Sequence, residues 1–241
     1  MLTKFYNVNG NKTALLVHGY GSGINHAWEK TIELLTSNNV NVLALELTGH
    51  GESSRQNSYS FNDWITSIKN ILHKTEITPD YIVGHSLGGL LATGIADKIS
   101  FEKILLLDPF LYIRSDFIHW VTRISMRHQA KVTYRKVRKS NPTWTRQMVI
   151  DEVKSLRQWD LKTLDALDRT GKPIVERFIK TNESKTLILK PKHSFLIPSK
   201  FIPVLKTNKH INVETIPDSR HSLHKDNEKA YLKSLTDFFE I

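Results

Sequence analysis

The sequence predicts an α/β fold: a mostly parallel sheet with helices on both faces and an inserted helical cap. Three observations carry this. Short unbroken apolar runs, such as Thr13 to Val17, Val40 to Leu45 and Ile104 to Leu107, alternate with stretches of helical periodicity. Strands buried on both faces read as continuous apolar runs, and their alternation with helices makes the sheet parallel. Residues 110–182, by contrast, hold several helical patterns and no strand.

Leu2 to Val8 reads as the first strand, with Asn9-Gly10-Asn11 as a hairpin turn. Thr13 to Val17 is a buried strand ending in the loop His18-Gly19-Tyr20-Gly21-Ser22-Gly23. Trp28, Ile32 and Leu35 mark a helix, and Val40 to Leu45 a strand followed by Thr48-Gly49-His50-Gly51-Glu52-Ser53-Ser54. Ser60 and Asp63 form a capping box before a helix that carries Phe61, Trp64, Ile65, Ile68 and Leu72 on one face. Asp80 to Val83 is a strand, Leu87 to Ile99 its helix, and Ile104 to Leu107 the next strand, ending at Asp108-Pro109.

In the insertion, Phe117, Val121, Ile124 and His128 mark one helix. Val149, Ile150, Val153 and Leu156 mark another, and Leu161, Leu164 and Leu167 a third, stopped by Gly171 and Pro173. Thr186 to Leu189 and Ile211 to Ile216 are strands. A final helix from near Asp226 buries Tyr231, Leu232, Leu235, Phe238 and Phe239. The expected organisation is a core of residues 1–108 and 183–241 with a helical cap at 109–182. Ligands of such sheets bind at the carboxyl ends of the strands, which the cap would roof over.

The chain has 241 residues, enough for one large domain or a domain with an inserted cap, and 39% hydrophobic residues supply a core. It has no cysteine, which removes disulfides and thiolate chemistry and fits a cytoplasmic protein. No apolar run approaches the roughly 18 residues a membrane span needs, and Met1 to Tyr6 lacks the apolar segment of a signal peptide.

The formal net charge is +10, concentrated in residues 109–182, which carry 16 Lys+Arg against 7 Asp+Glu. Arg123, Arg127, Lys131, Arg135, Lys136, Arg138, Lys139 and Arg146 follow one another with no acidic residue between Phe117 and Ile150. Such a run reads first as a solvated helix face. The sharper readings are attraction of an anionic substrate, an acidic partner or an anionic membrane surface. No nucleic-acid partner is expected, because aromatic interleaving and a recognition motif are absent.

The chemistry centres on Gly84-His85-Ser86-Leu87-Gly88-Gly89. A short strand precedes it, and apolar or small residues at Leu87, Leu90, Leu91, Gly94 and Ile95 follow at helical spacing. Ser86 therefore sits where a strand turns sharply into a helix. That turn raises its hydroxyl above the sheet edge and aims the Leu87 N–H at a developing oxyanion. A serine hydroxyl needs an adjacent base, and a neutral imidazole suits the task. Among 11 histidines, His221 lies in a loop at the same edge, and His224 is the competitor, read instead as a loop or helix-start residue. His18, His50 and His85 belong to glycine-rich turns and read as structural. No carboxylates stand at metal-ligand spacing with His18, His50 or His221, so neither metal nor cofactor is expected.

The chain resembles the α/β-hydrolase superfamily through His18-Gly19-Tyr20-Gly21, Gly49-His50-Gly51-Glu52-Ser53, the Ser86 motif and Pro217-Asp218-Ser219-Arg220-His221. The resemblance covers residues 1–108 and 183–241, with the insertion in the place of the family's variable cap. It implies a second oxyanion donor in the Tyr20 N–H, and the order nucleophile, acid, histidine. The expected activity is a serine hydrolase cleaving a small-molecule carboxylic ester or related acyl compound. A lyase, thioesterase or acyltransferase on the same scaffold is the alternative, and a non-catalytic binding protein the rival of another class. A serine at this place argues against the dehalogenase and epoxide hydrolase branches, which use aspartate there.

The acid departs from the family's common pattern. Its usual place, after the strand that ends near Leu189, holds Ser194, and no carboxylate occurs between Thr186 and Glu214. Asp108, 22 residues beyond Ser86, is the best remaining candidate, since a minority of the family places its acid after this strand. Asp-Pro as a plain strand terminator is the other reading of Asp108. Asp218 is only three residues from His221, an awkward approach to Nδ1. The expectation is a Ser86–Asp108–His221 triad, with a Ser-His dyad if Asp108 points away.

Overall fold

The structure, a computed structural model, describes residues 1–96, 98–112, 116–167 and 170–241. Seven strands form one sheet: β1 (Leu2–Tyr6), β2 (Lys12–Val17), β3 (Val40–Glu46), β4 (Tyr81–His85), β5 (Lys103–Leu107), β6 (Lys185–Pro191) and β7 (Ile211–Ile216). Their order is β1-β3-β2-β4-β5-β6-β7. All neighbours run parallel except β1, which pairs antiparallel with β3.

Alternate residues of each central strand feed two cores, as the period of two requires. Leu15, Val17, Ile82, Ile104, Leu106 and Ile188 face one side. There they meet α2 (Phe61–Thr75), α3 (Leu87–Ile95) and, further along, α7 (Gly171–Thr181). Ala14, Leu16, Val83, Leu105, Leu107 and Leu189 face the other side, covered by α1 (Ile24–Ser37) and α10 (Glu228–Phe239) through Trp28, Leu35, Tyr231, Leu235 and Phe239. The remaining helices are α4 (Asp116–Gln129), α5 (Tyr134–Ser140), α6 (Arg146–Arg157), α8 (Ile202–Leu205) and α9 (Leu223–Asp226), with a 3-10 turn at Leu161–Ala166 and another at Ser199–Phe201. Among the described residues, no helix is long and apolar enough to cross a membrane.

The sequence reading needs correction in four places. Asn9-Gly10-Asn11 is not a hairpin, because β1 pairs with β3 from Leu2 opposite Glu46 to Tyr6 opposite Val42. The Asn41 side chain instead ties that loop down, accepting from the Val8 and Gly10 N–H groups. The helix after Ser86 ends at Ile95, short of Ile99. The segment of Leu161, Leu164 and Leu167 is a 3-10 turn, and Gly171 and Pro173 open α7 where a stop was expected. Proline lacks only an N–H, which the first turn of a helix leaves unbonded anyway. Last, Val121, Ile124 and Ile150 lie on the exposed sides of their helices. The side chain of Phe117 lies outside the described residues.

Ser60 caps α2 as expected, its hydroxyl oxygen accepting the Asp63 N–H. The Asp63 carboxylate accepts from that hydroxyl.

Candidate active site

β4, β5, β6 and β7 are neighbours in the sheet, so the loops leaving their carboxyl ends converge. Ser86 leaves β4, Asp108 leaves β5, Ser194 follows β6 and His221 follows β7. Ser86 stands at φ 53°, ψ −114°, a strained conformation for a residue with a side chain. Its surroundings hold it there: the Ser86 N–H donates to the Leu107 carbonyl at 3.0 Å, and its carbonyl accepts from Gly89 and Phe110, each at 3.0 Å. The tight crossing needs Gly88, since a Cβ there would lie 1.9 Å from the Val17 carbonyl oxygen. Gly19 lets the loop after β2 approach as well, because a Cβ there would lie 2.9 Å from Ser86 Cβ. Leu87 opens α3 immediately after Ser86.

The three polar side chains join in series. His221 Nε2 lies 3.0 Å from Ser86 Oγ. His221 Nδ1 lies 2.7 Å from Asp108 Oδ2. The Asp108 N–H is anchored to the Leu189 carbonyl at 2.7 Å, and its side chain is buried, whereas His221 is half exposed. Asp218, at φ 50°, belongs to the turn after β7.

The second carboxylate oxygen, Oδ1, accepts the Ser194 hydroxyl at 2.5 Å. Near the end of β6, the buried Lys190 ammonium is close by, donating to the Pro191 and Lys192 carbonyls. Burial pulls its pKa down, and the Asp108 charge opposes that fall. Neither contact is readable from composition. The one signal was a hydroxyl standing in a loop with no carboxylate of its own.

The other histidines brace the loops. His18 Nδ1–H donates to the Gly19 carbonyl at 2.8 Å, and its Nε2 accepts the Leu47 N–H at 3.1 Å, so its tautomer is set and burial lowers its pKa to about 4. His85 Nε2–H donates to the His221 carbonyl at 3.0 Å. His50 stacks on Trp159 with ring centroids 6.1 Å apart. His224 is buried against Trp28 and His85, with ring centroids 5.7 and 4.8 Å away. Burial holds His50, His85 and His224 well below the usual imidazole range. No cluster of three or more metal-ligating side chains occurs among the described residues.

Residues of the segment between α4 and α7 bond to the loops after β3 and β7. Asp160 N–H donates to the Gly49 carbonyl at 2.7 Å, and Tyr59 donates to the Asp160 carboxylate at 2.8 Å. Arg220, next to His221, donates to the Ser140 carbonyl and to Asn141. Trp159 packs beside Tyr20 at 5.9 Å between centroids. α7 turns back and packs on α3.

A model of the alpha/beta hydrolase family matches residues 14–233. The chain belongs to that family. Among curated relatives of this α/β hydrolase, a serine hydrolase-like protein of Dictyostelium discoideum is 24% identical over 71% of the chain and 47% of its own length. The (E)-2-((N-methylformamido)methylene)succinate hydrolase of Acinetobacter baylyi is 29% identical over 40% of each. The chain spans less than half the length of these curated relatives. Among solved structures, MenH from S. aureus superposes with a TM-score of 0.77 at 22% identity, covering 99% of this α/β hydrolase and 97% of that chain. An esterase from Exiguobacterium antarcticum gives 0.81 at 13% identity, with 99% and 95% covered. At such identities these likenesses speak for the fold.

Proposed function

We propose that this α/β hydrolase is a serine hydrolase that cleaves a carboxylic ester or related acyl compound through an acyl-enzyme on Ser86. The observation that carries the reading is the unbroken series Ser86 Oγ, His221 Nε2, His221 Nδ1, Asp108 Oδ2 at 3.0 and 2.7 Å. In this reading His221 takes the Ser86 proton as Oγ attacks the carbonyl carbon. The protonated imidazole then delivers that proton to the leaving group. Asp108 keeps Nδ1 protonated, leaving Nε2 free to accept, and stabilises the imidazolium as it forms. The backbone N–H groups of Leu87 and Tyr20 hold the oxyanion, each worth about 3–4 kcal/mol of barrier. Water, activated by the same imidazole, releases the acyl group.

Residues 109–182 serve in this reading as a cap over the strand ends, and their basic residues draw in an anionic substrate. The test is a chain-length series of nitrophenyl esters, run with fluorophosphonate labelling of wild type and Ser86→Ala. Ser86→Ala should lose turnover by at least about 10⁴-fold and all labelling, with its melting temperature kept. Near wild-type turnover in that variant ends the proposal.

A further inference from the structure

The mechanism proposed above uses one oxygen of Asp108. The other is held as deliberately. Ser194 Oγ accepts two backbone N–H groups, from Leu196 at 3.1 Å and Ile197 at 2.8 Å, while standing 2.5 Å from Asp108 Oδ1. A hydroxyl has two lone pairs and one proton. The two N–H donors occupy the lone pairs, so the proton has one remaining direction, which is Oδ1. The orientation of this hydroxyl is therefore set by its own loop before the carboxylate arrives.

The carboxylate needs such a partner. Its backbone is fixed by the Asp108 N–H on Leu189 and by a left-handed φ of 36°. The last side-chain torsion of aspartate, however, is broad and soft. Rotation about it would swing Oδ2 away from His221 without moving the chain. A donor fixed on Oδ1 removes that freedom, and a hydrogen bond to a charged acceptor is among the stronger ones. Lys190, buried near the end of β6, adds positive charge near the carboxylate. The stretch from Lys190 to Ile197 contains no carboxylate, yet it supplies the donor and a nearby cation to the one that follows β5.

We infer that Ser194 is a positioning residue for the reaction: clamped by the Leu196 and Ile197 N–H groups, its hydroxyl locks the Asp108 carboxylate so that Oδ2 faces His221 Nδ1. The inference rests on the serine-hydrolase reading of Ser86, His221 and Asp108. A serine that merely closed its own turn would also accept those two N–H groups, so the test must read the carboxylate and the imidazole.

The experiment compares full-length wild type, Ser194→Ala, Ser194→Thr, Asp108→Asn and Ser86→Ala. It measures kcat and KM on one nitrophenyl ester and the downfield proton resonance of His221 Nδ1–H. Ser194→Ala should lower kcat about tenfold with KM within about twofold, and should shift or broaden the downfield resonance. Ser194→Thr, which keeps the hydroxyl, should restore both to near wild type. Wild-type kcat and an unmoved resonance in Ser194→Ala overturn the inference. So does an equal loss in Ser194→Ala and Ser194→Thr with the resonance unmoved in both, since that pattern belongs to a damaged turn. If Ser86→Ala keeps its turnover and Asp108→Asn leaves the resonance in place, the serine-hydrolase reading itself fails and the inference falls with it.

Discussion

His85, the residue before the nucleophile candidate, donates from Nε2 to the main-chain carbonyl of His221 at 3.0 Å. The two rings lie 4.8 Å apart. The elbow that presents Ser86 thus also holds the loop that presents His221. Because β4 and β7 are three positions apart in the sheet, this bond is a direct tie between elements that do not pair.

Removing that tie should loosen His221 and leave Ser86 in place. His85→Ala is expected to cut kcat by about tenfold, in line with loss of one buried hydrogen bond at the site, and to slow fluorophosphonate labelling in parallel. Labelling and kcat both at wild-type level would show that the loop holds itself.

His221 and His224 are three residues apart and have opposite surroundings. His221→Ala should abolish turnover nearly as completely as Ser86→Ala, because the members of such a set act as a unit. Asp108→Asn should lower kcat by orders of magnitude with little change in KM, since the asparagine amide favours the wrong imidazole tautomer. His224→Ala should lower stability more than kcat, because its ring packs on Trp28. Equal kcat losses at the two histidines would move the base to His224.

Acid should unfold this protein early. His18, His26, His50, His85 and His224 are all held below their ordinary pKa, with burial the largest cause in each. A histidine with a depressed folded pKa contributes stability that is complete above the unfolded value. That stability is lost as pH falls toward the folded one. For His18 the window runs from 6.5 down to about 4, worth roughly 3 kcal/mol across its whole width. Urea unfolding at pH 7.5, 6 and 5 should give steadily falling stability, and a flat series would contradict the neutral, buried assignment.

Lys131, Arg135, Lys136, Lys139 and Arg146 are exposed on the basic segment, while Arg123, Arg127 and Arg138 bond to neighbouring residues. If the exposed set draws in an anionic ester, its kcat/KM should drop as salt rises from about 0.05 to about 0.5 M, and that of a neutral ester should hold steady. A flat response for both substrates returns these residues to a solvated face.

Much of this molecule was legible in local pattern. The turn at Ser86 needs a strand, two small residues and a helix within a few positions, and the Tyr81 to Ile95 stretch spells out all three. The alternation of apolar strands with helices such as Phe61–Thr75 likewise follows from short-range periodicity, because each element must present its apolar face to one sheet. Long-range pairing was a different matter. Whether β1 paired with β2 or with β3 depended on which edge was open, and a turn-like Asn9-Gly10 pointed to the wrong partner. Gly171 and Pro173 looked like a stop because proline breaks a helix interior, yet the same residue is tolerated in a first turn, and only packing on α3 distinguishes the two.

The site divides in the same way. The sequence by itself determined that a serine stands on a strained turn at a sheet edge and that histidines lie in the loops around it. It also determined that the loop after β6 has no carboxylate. Only the tertiary structure decided what Asp108 touches, and that Ser194 binds its second oxygen. The physical reason is distance along the chain: Asp108 and His221 are 113 residues apart, and Asp108 and Ser194 are 86 apart. A hydrogen bond depends on tenths of an ångström, which the order and register of β5, β6 and β7 set and no local pattern records.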